Sequence, residues 1–233
     1  MALDLTQFTP ARVALARAGH SLATAELLRL QLDHARARDA VQFELDPASI
    51  RMPHVLVRSA ARDRATYLRR PDLGRSLAEE SRSQLVRGDY DAAIVVAGGL
   101  SAPAIHHHAM AVLESLLPRL AAWRLAPLTV ALLARVALGD EIGEALGARM
   151  VVVLIGERPG LTSPDSMGIY LTWGPRRGRN DAERNCISNV RTAGIGSDLA
   201  AHKVHFLMEA SRTRRLSGVQ LKEETKYSGL ELR

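Results

Sequence analysis

From His54 to Trp173 the chain alternates short, wholly apolar runs with longer amphipathic stretches. Val151-Val152-Val153-Leu154-Ile155 is apolar at every position and mostly β-branched. That pattern suits a strand buried on both faces, as in a parallel sheet. Ala92–Ala97 and Leu128–Leu133 also read as strands, and Val55-Leu56-Val57 as a shorter one. Ile169–Trp173 alternates and predicts an edge strand. Tyr67–Arg75 reads as a loop entering a helix that lasts to about Arg87, followed by a turn at Gly88-Asp89-Tyr90-Asp91. Ser101 is placed to cap a long helix running through His106 to Trp123. Gly139-Asp140-Glu141-Ile142-Gly143-Glu144 opens a short helix, with Gly147 just past its end. Ser197 or Asp198 caps a last long helix, to about Leu216. Strands separated by helices of this length indicate βαβ units and a mainly parallel sheet.

The first fifty residues have little strand character. Thr9-Pro10 opens a helix that ends near Gly19. A stronger helix follows, with Thr24 as its cap and Leu27, Leu28, Leu30, Leu32, Ala35 and Val41 at helical period. The organisation expected is therefore a helical arm over 1–53, an α/β domain over 54–218 and a polar tail over 219–233.

Aromatic residues are only 4% of the chain, so its core must be built from Leu, Val, Ile and Ala. A net charge of +6 and a pI of about 10.1 invite a nucleic-acid reading. The distribution argues against it. Lys203, Lys222 and Lys226 are the only lysines, and the arginines are scattered among acids, as in Arg62-Asp63-Arg64. Cys186 is the single cysteine, so no disulfide can form within the chain, which fits a reducing cytoplasm. The first twenty residues contain no apolar core of signal-peptide length, and no apolar stretch approaches the roughly 20 residues that span a bilayer. A soluble, cytosolic protein is expected.

Three strand ends converge in this topology: Gly98-Gly99-Leu100-Ser101, Arg135-Val136 with the acidic turn beyond it, and Gly156-Glu157-Arg158-Pro159-Gly160. Ligands of open α/β sheets sit at the carboxyl ends of the strands. A turn needs Gly and Pro, but it does not need Glu157 and Arg158, so that pair lies where a cofactor is expected. Cys186 has no CxxC partner, no metal-ligand spacing and no recognisable base, which leaves packing or a cofactor contact. Adjacent residues of a helix point about 100° apart, so His106, His107 and His108 cannot chelate one metal together and read as an exposed polar patch. Gly194-Ile195-Gly196 lacks the third glycine of a dinucleotide fingerprint. The chain has no P-loop, no Gly-x-Ser-x-Gly elbow and no HExxH.

Taken together, these segments resemble the small (light) subunit family of ethanolamine ammonia-lyase. The similarity covers nearly the whole chain, from Thr9-Pro10-Ala11-Arg12-Val13 through His34–Val41, Leu68–Arg75 and Gly139–Glu144. It is sharpest in Leu154-Ile155-Gly156-Glu157-Arg158-Pro159-Gly160-Leu161 and Cys186-Ile187-Ser188-Asn189. The resemblance implies a Rossmann-like α/β fold, a mainly parallel sheet with helices on both faces, preceded by an N-terminal helical segment. It implies an adenosylcobalamin-dependent radical lyase that converts ethanolamine to acetaldehyde and ammonia. A large barrel subunit would hold the substrate and the residues that act on it, in a hetero-oligomer with several copies of each chain. This chain would cover the cobalamin at the interface through Val136, Glu157 and Cys186, with Arg158 holding Glu157 in place, and would supply no catalytic acid or base and no metal ligand. The Asp-x-His-x-x-Gly motif that puts a histidine beneath cobalt is absent, so by resemblance the cofactor keeps its own dimethylbenzimidazole.

Two departures from the family pattern bear on detail. Gly98 stands where the family has Asp before Gly-Leu-Ser, which would leave a loop oriented by that Asp looser here. Some relatives carry a longer N-terminal extension associated with packaging in a bacterial microcompartment, whereas this chain begins close to the shared core. The alternatives are a stand-alone α/β module that binds a nucleotide or another cobalamin, and a basic nucleic-acid-binding protein.

Overall fold

A computed structural model describes residues 23–223. The helix expected over Thr9–Gly19 and most of the expected tail lie outside the described residues. A long helix α1 (Thr24–Gln42) leads into β1 (Val55–Arg58), α2 (Arg64–Arg69), the single turn α3 (Glu79–Arg82) and β2 (Tyr90–Ala97). Then come α4 (Ala102–Leu116), β3 (Thr129–Leu132), α5 (Leu138–Leu146), β4 (Ala148–Gly156), β5 (Met167–Trp173), β6 (Arg184–Val190) and α6 (Ser197–Arg214).

The six strands form one sheet in the order β1-β3-β2-β4-β5-β6. The first four are parallel; β5 and β6 each run antiparallel to the strand before them. The chain moves one way along the sheet from β2 to β3 and back past β2 to reach β4. Right-handed crossovers in opposite directions must pass over opposite faces, and they do. Ile94, Val96, Val152 and Leu154 face α4 and α6 in one core, whereas Ala93, Val95, Val151 and Val153 face α5 in the other. The fold is thus α/β with an N-terminal helix and a mixed sheet, a parallel core with an antiparallel edge.

The all-apolar run Val151–Ile155 lies buried at the centre of β4, and Gly147 ends α5 in the left-handed conformation, φ 73°. Other elements depart from expectation for identifiable reasons. No helix runs to Arg87. The chain over 76–78 lies extended against β1, with Ala60 N–H on Ser76 O and Ala78 N–H on Arg58 O, so its backbone groups are already used. Tyr67, expected in a loop, is buried within α2. α4 stops at Leu116 and tightens into a 3₁₀ turn over Leu117–Leu120, where Pro118 offers no N–H. β5 is not an edge strand: β6 pairs along its other side, Tyr170 opposite Cys186.

Capping also differs at two helices. Ala23 and Gly196 stand at the N-caps, with Thr24 and Ser197 already the first helical residues. Asp198 instead accepts from Ser115 Oγ at 2.8 Å and from Arg119 at 2.7 Å, which ties α6 to α4.

At the carboxyl end of the sheet, the turns after β2 and β4 press together. Gly99 has φ 59°, and a Cβ on it would lie 2.2 Å from Gly156 O; one on Gly156 would lie 1.9 Å from Ser101 O. Backbone is in the way in both cases. Gly156→Ala should therefore lower stability to urea by about 3 kcal/mol or more, the range of severe overpacking. Gly178→Ala, at φ 90° with nothing within 4 Å, should cost only about 1 kcal/mol of backbone strain.

Candidate functional site

The converging glycines are explained by this packing. Gly98 and Gly156 are buried, and a Cβ on Gly98 would lie 2.9 Å from that of Leu45, which accounts for the missing side chain there. The acidic turn is likewise structural. A Cβ on Gly139 would lie 2.3 Å from Val153 and one on Gly143 2.7 Å from Pro175, so these glycines let α5 lie close to its neighbours. Asp140 and Arg184 form a buried ion pair at 2.5 Å. Burial pushes the Asp140 carboxyl up, against the opposing pull of Arg184. Buried Glu141 accepts from Leu77 N–H at 3.0 Å and Arg82 at 3.3 Å, which fastens the segment before α3 to α5.

Beside these anchors lies a cleft of about 690 Å³. It is lined by Val136 and Ala137 from the β3–α5 turn, with Tyr170 of β5 and Cys186 of β6. Arg75, Arg135, Arg179 and Arg184 contribute to its walls. The arginines are mostly committed. Arg184 pairs with Asp140 and Asp181, Arg179 with Glu183, and Arg135 stacks 4.5 Å from the centroid of Tyr67. Arg64 lies over the same ring and donates to Val41 O and Gly99 O, both at 2.8 Å, which binds α1 to the strand-end turns.

The structure thus places Val136 and Cys186 in one cleft, with Glu157 beyond Cys186. The half-buried Glu157 carboxylate accepts from Ser188 Oγ at Oε1 and from Ser166 Oγ at Oε2, both at 2.5 Å. Asn189 N–H approaches Oε2 at 3.4 Å. A Cβ on Gly168 would lie 2.9 Å from Oε1, so that glycine leaves room for the carboxylate. Two serines, not Arg158, hold Glu157; Arg158 is exposed, and among the described residues no ion pair joins the two.

The exposed Cys186 thiol is raised above its usual range, first by desolvation and then by the Glu157 charge, although the Tyr170 hydroxyl opposes the shift. A protonated thiol is a poor nucleophile. Tyr170 is raised too, by burial and then by Cys186 and Glu157. This corner therefore presents a neutral thiol and phenol beside one carboxylate. It is suited to binding rather than to acid–base work at neutral pH.

Ser166, Gly168 and Tyr170 carried no motif in the sequence; Ser188 stood in the Cys186-Ile187-Ser188-Asn189 segment, where nothing marked it as a partner of Glu157. β6 carries Ser188 to the Glu157 carboxylate near Cys186, a placement that becomes legible only once the strand is known. The three histidines do not form one exposed patch. His106 Nε2 accepts from Asp46 N–H at 3.1 Å and its ring meets Phe43 edge-on; His108 is largely covered and only His107 is exposed.

Fold and cleft together define an α/β chain with an open hollow that reaches from the turn after β3 to the middle of β5 and β6. Similarity to known proteins goes further. The profile of the family "Ethanolamine ammonia-lyase light chain (EutC)" matches residues 1–222. The chain is 53% identical to the ethanolamine ammonia-lyase small subunit of Azotobacter vinelandii, over 98% of this chain and 90% of that one. It is 53% identical to that of Xanthomonas campestris pv. campestris, over 94% and 86% respectively, and 49% identical to that of Pseudomonas syringae pv. tomato, over 98% and 85%. The chain belongs to this family, the small subunits of ethanolamine ammonia-lyase, a carbon–nitrogen lyase. Among the described residues, no helix is long and apolar enough to cross a membrane.

The ion pair that backs the cleft gives a test. Arg184→Met alone strands Asp140 in the interior and should cost about 3–5 kcal/mol in denaturant unfolding; adding Asp140→Leu should restore most of it.

Proposed function

We propose that this chain helps to bind adenosylcobalamin in its Val136–Cys186 cleft, against a large barrel subunit that carries ethanolamine and the residues acting on it. The observation that supports this most strongly is the Glu157 carboxylate, fixed by Ser166 and Ser188 beside an uncharged thiol and phenol. The corrin rim carries neutral amides, which need hydrogen-bond acceptors and apolar contact more than charge. A carboxylate has about four lone-pair sites. The two serines and the longer contact from Asn189 N–H use three, so capacity remains for an amide N–H of the cofactor. Val136 and Cys186 would supply the apolar contact. The residues present fit the group.

When bound, the cofactor supplies the radical that turns ethanolamine into acetaldehyde and ammonia; the protein contributes orientation and exclusion of water. In this reading Glu157 would orient the rim and the cleft wall would help to exclude water. No residue of this chain moves a proton in the reaction. The cleft is open, and its other wall comes from the large subunit, in an assembly with several copies of each. The protein works in the cytoplasm or in a bacterial microcompartment.

Co-expression with the large subunit should give cobalamin-dependent acetaldehyde release that neither chain gives alone; activity of the large chain by itself would defeat the proposal. Glu157→Ala should weaken cobalamin binding to the assembled enzyme by about 10-fold or more, the loss of one hydrogen bond to a charged group. The KM for ethanolamine should change much less. An unaltered cobalamin affinity would remove Glu157 from the site.

A further inference from the structure

None of the three adjacent histidines lines the cleft. Consecutive helical side chains diverge by about 100°, yet the rings of His107 and His108 meet edge to face, with centroids 5.8 Å apart. A third group comes from a different element. Asp165, in the loop between β4 and β5, lies with its Oδ2 3.5 Å from His108 Nε2. One ligand atom from each of His107, His108 and Asp165 lies within 4.8 Å of the others. His108 Nε2 is buried without a hydrogen-bond partner.

We propose that His107, His108 and Asp165 bind a divalent transition-metal ion of the zinc class, and that this ion fastens the loop 157–166 to α4. Tetrahedral zinc holds nitrogen and oxygen at about 2.0–2.2 Å, which sets two ligand atoms about 3.3–3.6 Å apart. His108 and Asp165 already stand near that spacing. His107 is exposed, and its ligand atom lies within 4.8 Å of the other two. Two imidazoles and one carboxylate leave a fourth position for water, a donor set that suits zinc and its neighbours better than magnesium or calcium. His106 stays outside the set because its Nε2 is committed to Asp46 N–H.

The loop is built to hold Asp165 in place. Glu157 N–H donates to Ser166 O at 2.9 Å, Gly160 and Ser163 exchange backbone bonds, and Ser101 Oγ donates to Pro164 O at 2.6 Å. Ser101 also caps α4, the helix that carries both histidines. Asp165 therefore lies between two pinned neighbours, facing a helix that begins at one of the pins. Ser166, the next residue, is one of the two that hold Glu157. The ion would stiffen the support of that carboxylate without touching it.

Titration of the tag-free full-length chain with Zn²⁺ by calorimetry tests the site, together with amide hydrogen exchange over 157–166. One ion per chain should bind with micromolar affinity and slow exchange in the loop. His108→Ala and the conservative Asp165→Asn should each weaken binding at least 10-fold, whereas His54→Ala should leave it unchanged. The proposal is overturned if no saturable binding appears below about 100 µM. Equal affinity in both variants would overturn it too, as would zinc binding that leaves loop exchange unaltered. None of these readouts involves cobalamin, so they stand apart from the test of Glu157.

Discussion

The contact on which the rest of the site depends is the clasp between two backbone turns, Gly98–Ser101 after β2 and Gly156 at the end of β4. Leu100 N–H donates to Gly156 O at 3.0 Å, and neither Gly99 nor Gly156 leaves room for a Cβ. Two groups that position the site lie within a residue or two of it. Ser101 leaves the clasp as the cap of α4 and as the donor to Pro164; Glu157 leaves it with its amide on Ser166 O. The clasp thus converts the register of two central strands into the position of one carboxylate. Because both strands are buried on both faces, that register cannot slip without moving each core.

The same economy governs charge. A strongly basic chain invites a polyanion, but many of its arginines look inward or along the surface to fixed partners. Arg184 lies buried on Asp140, Arg64 reaches two carbonyls, and Arg124 and Arg149 share Asp89 and Asp91. Arginine suits this work because its planar fork bonds to several acceptors at once. Two of the four arginines lining the cleft, Arg179 and Arg184, are paired with carboxylates, and a third, Arg135, is stacked on Tyr67.

How much was legible in the sequence depended on whether a signal was local. The strands at Ala92–Ala97 and Val151–Ile155 announce themselves because a short, continuous apolar run fits little besides a strand buried on both faces. Gly147 and Ser101 are readable as caps because capping needs only near neighbours. The segment 76–82 is not, because its conformation is set by β1 and by Glu141, residues far away in sequence. β6 was missed because only two of its residues, Ile187 and Val190, are buried hydrophobics, so it carries no apolar run. With that strand unseen, Ser188 could not be placed beside Cys186, nor Ile169–Trp173 inside the sheet. Val136, Glu157 and Cys186 came together from family resemblance; the strand-end turns had also marked Val136 and Glu157, and Cys186 read by itself was left to packing or a cofactor contact. Asp165 had no signal at all, since its partners lie more than fifty residues earlier.

The central claim is that the Val136–Cys186 cleft is one wall of a chamber closed by another polypeptide around a cobalamin. The single, exposed cysteine makes this directly measurable. Maleimide labelling of Cys186 should proceed in the free chain and be strongly suppressed once the large subunit and cobalamin are both bound. Labelling at the same rate in the loaded complex would show that the cleft faces solvent, and would contradict the account.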